Sequence, residues 1–197
     1  MKTVKIRVTL NEEMLGTASS DPNLQRTYVA SKAPDAEKIE EEVASIGVDA
    51  VVEKGVTVFP KENGKPFVFD YQYKGYLKDS CNALARVEGT KASKVKAYKK
   101  VIDGLIFPQP RKIMIHMPEG KSLGLCSRPL RAQTAQGERI AIASSESVPE
   151  GSYMDVEIKI LDDKLEGLLE ELLDYGALRG LGQWRNSGKG RFSWARA

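Results

Sequence analysis

A glycine-rich, basic segment near the end of the chain contains the residues best suited to bind a charged ligand. Residues 176–194, GALRGLGQWRNSGKGRFSW, include five glycines, four Lys or Arg residues and two tryptophans. Glycines let backbone N–H groups approach an extended anionic chain, and Lys and Arg side chains neutralise phosphates. Trp184 adds a flat ring on which a nucleic-acid base can stack. The alternative is a tight turn that needs its glycines for backbone geometry alone.

Two nucleotide-binding glycine motifs do not fit this segment. Gly182 and Gly188 have five residues between them, and Gly190 stands where a P-loop has Ser or Thr. The run from Gly180 to Gly182 lacks the third glycine of a dinucleotide-binding fingerprint, and no strand precedes it. The pattern therefore favours contacts with RNA or single-stranded nucleic acid over contacts with a bound nucleotide cofactor.

Two kinds of contact are predicted from the segment, in addition to stacking on Trp184. Side chains that contact phosphates are expected to be Arg179, Arg185, Lys189 and Arg191. Positions where the backbone approaches the ligand are expected to be Gly180, Gly182, Gly188 and Gly190.

A second basic segment spans residues 86–103, approximately. It is either a solvated face or a secondary phosphate-contacting patch, and the sequence leaves both open. The patch would consist of Lys94, Lys96, Lys99 and Lys100.

Composition describes an ordinary globular protein and excludes several classes of site. The chain has 197 residues, a net charge of +3 and 41% hydrophobic residues, which suit one domain over residues 1–197. No apolar run is long enough to cross a bilayer and no signal core is present, so a cytoplasmic protein without membrane contact is expected. Cys81, Cys126 and the single histidine, His116, cannot supply a disulfide framework or a clustered zinc site. No metal and no cofactor are predicted.

The order of predicted elements indicates an α+β fold. Residues 4–10 alternate as a strand, Asn63-Gly64 marks a hairpin, and a helix is predicted from about Tyr71 to Arg86. Strands are then predicted at Lys112–Met117, around Gly137 and at Ser152–Leu161. A leucine-striped helix capped by Asp162 or Asp163 follows, with Gly176 as its C-terminal cap, and a last strand buries Phe192 and Trp194. This is the order of a ferredoxin-like (RRM-like) βαββαβ core with insertions, the longest at about 19–65, and with a C-terminal glycine-rich loop.

Three stretches resemble the RAMP superfamily, the ferredoxin-like RNA-binding proteins of CRISPR effector complexes and guide-RNA processing. GLGQWRNSGKGRF (180–192) is similar to the family's glycine-rich loop, which likewise follows a leucine-rich helix in type III backbone subunits. ESVPEGSYMDVEIKIL looks like the turn and strand before that helix, and YQYKGYLKDSCNAL resembles the segment in which a Lys-Gly pair opens the first long helix. The resemblance adds Lys74, of that pair, to the predicted phosphate contacts. It fits an effector backbone subunit or a stand-alone relative carried by a phage or prophage.

The resemblance also implies two candidate catalytic residues, and each has a non-catalytic interpretation. Some type III backbone subunits cut RNA with an aspartate after the first strand, where this chain has Asp21, and guide-processing relatives use a histidine, for which His116 is the candidate. Asp21-Pro22 is also an ordinary turn, and a lone strand histidine is usually structural. We therefore expect no enzymatic activity, with an endoribonuclease as the remaining catalytic alternative.

The expected function is non-catalytic binding of RNA or single-stranded nucleic acid, with self-association along the strand. The alternative is a phage-type interaction or inhibitor protein that uses the same fold to assemble with itself or to engage a host defence protein, without nucleic acid.

Overall fold

The computed structural model describes residues 1–19, 56–134 and 137–197, and it contains twelve strands and four α-helices within those ranges. The strands are β1 (Lys2–Leu10), β2 (Met14–Leu15), β3 (Ala18–Ser19), β4 (Val56–Val58), β5 (Lys61–Glu62), β6 (Lys65–Phe69), β7 (Ile106–Gln109), β8 (Lys112–Met114), β9 (Gly124–Thr134), β10 (Gly137–Val148), β11 (Tyr153–Ile160) and β12 (Phe192–Arg196). The helices are α1 (Asp70–Leu84), α2 (Tyr98–Leu105), α3 (Glu166–Asp174) and α4 (Gly176–Arg179).

A four-stranded antiparallel sheet with the order β12-β1-β11-β7 forms the core. Alternate residues of β1 are buried, and Ile6 pairs with Val156 while Leu10 pairs with Phe192. The chain order β1, α1, β7, β11, α3, β12 together with this strand order is the ferredoxin-like arrangement, so the predicted fold class is confirmed.

Helices α1 and α3 cover one face of the core sheet. In α1 the buried residues recur at positions 73, 76, 77, 80 and 81, the spacing of a single helix face. The Tyr76 hydroxyl donates a hydrogen bond of 2.6 Å to the backbone oxygen of Leu172 in α3, which joins the two helices within the core. No helix in the described ranges is long and apolar enough to span a bilayer.

Two smaller sheets flank the core. One has the order β2-β10-β4-β3, and β9 pairs with β10 in the long ribbon predicted around Gly137. The other has the order β5-β6-β8 and contains the predicted hairpin, in which Asn63 and Gly64 both have positive φ. The predicted insertion at about 19–65 lies mainly outside the described residues; the described part contributes β4, β5 and the start of β6.

The strand predicted at Lys112–Met117 is present at Lys112–Met114, but it lies outside the core sheet. The core uses β7, whereas Lys112–Met114 belongs to the small sheet of β5, β6 and β8. Pro108 lies within β7 opposite Ile158, and a proline that cannot donate to the ladder is tolerated there because β7 is an edge strand. Because Pro108 is atypical of strands, hydrophobic periodicity did not predict β7.

The leucine-striped helix ends just before Gly176, close to the predicted cap, but Gly176 has no positive φ and begins α4. A Cβ at this position would lie 2.2 Å from the Cζ of Phe192, so the glycine is required by close packing of α4 on the last strand. Gly180, with φ of +77°, ends α4 instead.

Candidate nucleic-acid interface

The glycine-rich loop, defined here as residues 180–191, is fixed to the end of β1 and the turn that follows it. The backbone N–H of Gly190 donates to the oxygen of Glu13 (2.8 Å), and the N–H of Asn11 donates to the oxygen of Arg191 (2.8 Å). The loop also closes on itself, because the N–H of Leu181 donates to the oxygen of Gly190 (2.8 Å). Backbone hydrogen bonds therefore hold the loop in a defined conformation at one end of the core sheet.

Three of the predicted ligand-approach glycines are needed by the protein itself. A Cβ at Gly190 would lie 1.9 Å from the oxygen of Leu181, and a Cβ at Gly180 would lie 2.6 Å from the backbone carbon of Gly190. A Cβ at Gly182 would lie 2.6 Å from the oxygen of Leu15. All three have positive φ, so the loop's own crossing accounts for their being glycine. That they also approach a ligand stays a prediction.

Gly188 is also buried, but it differs from the other three because the atoms nearest to a Cβ there belong to a side chain and not to the backbone. Its φ is +85°, and the nearest atom to a Cβ there would be the guanidinium carbon of Arg191, at 3.3 Å. A flexible side chain, not backbone, therefore lies over this glycine.

Two of the predicted phosphate-contacting arginines share one carboxylate on α1. The Nε of Arg179 and an NH of Arg185 donate to the same Oδ2 of Asp79, at 2.9 and 2.8 Å. Partial burial alone would raise the pKa of Asp79, but the hydrogen bond from Arg179 and the charge of Arg185 outweigh it and hold the pKa below its usual range. Asp79 thus connects α1 both to Arg179, at the end of α4, and to Arg185, in the loop.

The other two loop cations differ in their contacts. Lys189 donates to Glu13 at 2.5 Å, and this hydrogen bond raises the pKa of the lysine. Arg191 is exposed, and none of the carboxylates in residues 1–19, 56–134 and 137–197 forms an ion pair with it. Arg191 is therefore the loop cation most accessible to a phosphate.

Trp184 projects from the loop, 38% exposed, with a left-handed backbone (φ +54°). Its ring contacts the guanidinium of Arg128 from β9, whose central carbon lies 5.3 Å from the ring centroid. Arg128 itself is buried, 7% exposed, and sequence reasoning missed it. No local signal could have found it, because its position beside the loop depends on the pairing of β9 with β10 and on their packing against residues distant in sequence.

A cleft of about 320 Å³ lies between the loop and the first half of α1. Its polar lining includes Thr17, Gln72 and Arg185, and its apolar lining includes Tyr76 and Leu181. The Gln72 amide donates to the Thr17 hydroxyl at 2.6 Å, and this hydrogen bond connects the residue before β3 to α1 in the lining of the cleft. The cleft extends the loop surface along α1.

Lys74 lies on a different face of α1. Its Nζ donates to the backbone oxygen of Asp103 (2.8 Å) and lies 4.3 Å from the ring centroid of Phe107, on the side of α2 and β7. Desolvation lowers the pKa of Lys74. The structure therefore does not bring Lys74 together with the loop cations.

The second basic segment wraps the C-terminal part of α1 and contacts α3. The backbone N–H groups of Lys91 and Ala92 donate to the two carboxylate oxygens of Glu171, both at 2.8 Å, and fix the segment in place. The four lysines of the predicted patch are all exposed: Lys94, Lys96, Lys99 and Lys100. Exposure fits both a solvated face and a phosphate-contacting patch.

The candidate catalytic histidine sits in an aromatic stack on the open face of the core sheet. His116 lies 4.8 Å from the ring of Tyr153 with an interplanar angle of 13°, and the guanidinium of Arg7 lies over Tyr153 at 4.2 Å. Asp21 falls outside the described residues. Within the described ranges, no group of three or more His, Cys, Asp or Glu side chains could hold a metal ion.

Comparison with known proteins gives structural neighbours only. No protein-family model matches the chain, and no curated protein matches it. A chain from a cryo-EM structure of the type III-B Cmr-beta complex bound to cognate target RNA is similar over 98% of this chain, with a TM-score of 0.53 and 10% identity. A chain of a type IV-B CRISPR complex is similar over 100% of this chain, with a TM-score of 0.51 and 10% identity.

The fold is shared with subunits of CRISPR complexes. Our chain spans 58% of the length of the type III-B chain and 90% of the length of the type IV-B chain. At 10% identity the likeness is one of fold, and it agrees with the resemblance to the RAMP superfamily seen in the glycine-rich segment.

Proposed function

We propose that the protein binds RNA, or single-stranded nucleic acid more generally, along the glycine-rich loop and its adjoining cleft. In this proposal it is a RAMP-like, backbone-like subunit that self-associates along the strand and catalyses no reaction. The fold it shares with chains of CRISPR complexes, one of them bound to target RNA, supports the setting. The observation that supports the binding site itself is the charge balance of the loop.

The loop region holds more positive charge than its ion pairs neutralise. Five cations lie in the loop or beside it, and two carboxylates, Asp79 and Glu13, form ion pairs with three of them. The five are Arg128, Arg179, Arg185, Lys189 and Arg191. A surplus of fixed positive charge beside a polar cleft suits a phosphate backbone, whose binding depends on neutralised phosphates.

Fluorescence anisotropy with a labelled 30-mer RNA, measured over a range of salt concentrations, tests the proposal. The double variant Arg185→Ala with Lys189→Ala should weaken binding to every sequence alike and reduce the slope of log K against log[salt] by about 1.4, or 0.7 for each lost phosphate contact. Unchanged affinity and slope would remove the loop from the interface.

A matched control removes two ion-paired cations elsewhere. Lys2 and Arg196 both pair with Glu166 at the start of α3, far along the sheet from the loop. The variant Lys2→Ala with Arg196→Ala changes the net charge equally and should leave the slope nearly unchanged. An equal loss in both variants would mean that net charge, not the loop, attracts the strand.

Size-exclusion chromatography with and without nuclease separates this function from assembly without nucleic acid. Co-purifying nucleic acid, lost with the larger species after nuclease, supports strand binding. An oligomer indifferent to nuclease and free of nucleic acid supports an interaction or inhibitor protein instead.

A further inference from the structure

Arg128 is a buried cation whose hydrogen-bond partners are neutral. Only 7% of the residue is exposed. One NH donates to the hydroxyl of Ser145 (3.0 Å) and the other to the amide oxygen of Gln183 (2.8 Å). In the described part of the chain no carboxylate pairs with it.

Burying an arginine without an anion is costly. Buried charges in proteins are normally paired or bound to a ligand, because desolvation of an unpaired ion costs several kcal/mol. A guanidinium has five N–H donors, and the two contacts to Ser145 and Gln183 leave donors for a further acceptor. The position of Arg128 therefore suits an anion that arrives with a ligand.

Trp184, beside Arg128, is an exposed aromatic residue with a strained backbone. A bulky residue with φ of +54° is strained, and such strain persists where the surrounding structure enforces it, often at binding sites. One side of the indole is covered by Arg128 at 5.3 Å, while 38% of the residue stays exposed. The loop thus holds a flat aromatic surface out to solvent, directly above a charge that lacks an anion.

We propose that Arg128, Gln183 and Trp184 form a subsite for one nucleotide of the bound strand. The base stacks on the exposed side of the Trp184 indole, and a neighbouring phosphate is drawn to the guanidinium of Arg128. Arg191, which is exposed and forms no ion pair with a carboxylate of the described residues, is the candidate for the phosphate that follows. The inference rests on the proposed function and names residues that determine its affinity.

A nucleotide fits this subsite better than a lone anion does. An inorganic anion would use the guanidinium but leave the strained, exposed indole without a role. A nucleotide offers both a phosphate for Arg128 and a π-face for Trp184, and stacking of this kind is tolerant of base identity.

Two variants separate the stacking and charge contributions in the same RNA-binding assay. Trp184→Ala should weaken binding roughly 5- to 100-fold, and Trp184→Phe should restore part of the loss because it keeps a ring. Arg128→Gln should weaken binding and lower the salt slope by about 0.7, the value for one phosphate. Arg196→Gln, which removes a surface arginine beside α3, is the control and should leave the slope unchanged.

The fluorescence of Trp184 reports directly on contact between a ligand and the indole ring. In a Trp194→Phe background Trp184 is the only tryptophan. Titration with uridine monophosphate and with oligo-U should quench its fluorescence, and Arg128→Gln should reduce the quenching by the monophosphate. Thermal unfolding of each variant verifies that it is folded.

The outcomes distinguish the subsite from the function on which it rests. If wild-type protein binds RNA but Trp184→Ala and Arg128→Gln bind with unchanged affinity and slope, the subsite is refuted and the proposed function stands. If Arg128→Gln lowers affinity without changing the slope, Arg128 only positions Trp184 and the anion part is refuted. If wild-type protein binds neither RNA nor single-stranded DNA, both proposals fall.

Discussion

Replacing Asp79 by asparagine should loosen the glycine-rich loop, because this one carboxylate binds Arg185 in the loop and Arg179 directly before it. Asp79 Oδ2 accepts hydrogen bonds from Arg179 and Arg185 at 2.9 and 2.8 Å. The three side chains are 33%, 30% and 28% exposed, so the cluster is neither a free surface pair nor a fully buried one. Asparagine keeps the shape and one acceptor oxygen but removes the charge.

The expected loss lies between the values for exposed and buried ion pairs. An exposed pair contributes about 0.2–1 kcal/mol, and a hydrogen bond to a charged group about 1.5–3 kcal/mol. With solvent screening and the acceptor that asparagine retains, we expect Asp79→Asn to lower the free energy of unfolding by about 1–2 kcal/mol. For a chain of this length that corresponds to a drop in Tm of roughly 2–8 °C.

The pH dependence gives a second signature. Because the pKa of Asp79 is lower in the folded protein than in the unfolded chain, the ion pairs stabilise the fold fully above about pH 4 and lose their effect as the pH falls through the folded-state pKa. Urea unfolding at pH 7 and at pH 3 should therefore show a gap between wild type and Asp79→Asn that is larger at neutral pH.

Asp155→Asn is the matched control, since Asp155 also binds an arginine, Arg7, by two hydrogen bonds of 2.8 Å. That pair is about half exposed on the open face of the core sheet. We expect Asp155→Asn to cost clearly less than Asp79→Asn. If the two variants are destabilised equally, Asp79 does not anchor the loop in the way argued above.

The remaining predictions concern the loop crossing, the core and the basic segment. Gly190→Ala places a Cβ within 1.9 Å of the Leu181 oxygen at a positive φ, and it should lower the free energy of unfolding by about 3 kcal/mol or more. Gly75→Ala, in open space within α1, should raise the free energy of unfolding by about 0.5–1 kcal/mol. Chemical denaturation measures both. Tyr76→Phe removes the hydroxyl that donates to the Leu172 oxygen at 2.6 Å and should lower the free energy of unfolding by about 1–2 kcal/mol. A urea m-value equal to that of the wild type would show that the fold is intact. The patch lysines can be replaced together by glutamine: Lys94, Lys96, Lys99 and Lys100. The slope of log K against log[salt] for RNA binding should then fall by about 0.7 for each lysine that contacts a phosphate, and an unchanged slope would mean that the segment is a solvated face.

Local patterns predicted the elements whose signals are local. The helix expected at about 71–86 is α1 at Asp70–Leu84, and the strand expected at 152–161 is β11 at Tyr153–Ile160. Each has an uninterrupted periodicity, and each buries one regular face of the core. The last strand also follows the prediction in part, because Phe192 is fully buried while Trp194 is half-buried and donates to Asp174 at 2.8 Å.

Features set by long-range contacts could not be predicted in this way. The strand β7 has only four residues and contains Pro108, which is unfavourable in strands, so it is recognised only from its pairing with β11. The carboxylates that hold the loop, Asp79 and Glu13, lie 100 and 176 residues from their partners Arg179 and Lys189. Arg128 belongs to the same class, since its burial results from a ribbon that the loop packs against.

The ion pairs of the loop are compatible with the proposed phosphate contacts. Arg185 uses one NH for Asp79, and Arg179 uses its Nε for Asp79 and one NH for Asn186, so each guanidinium retains donors. Side chains already held in place lose less conformational entropy when a phosphate arrives. Because two arginines share one carboxylate, the cluster keeps a net positive charge while its geometry is fixed. Under the proposed function, the loop would therefore bind a strand without first releasing its own contacts.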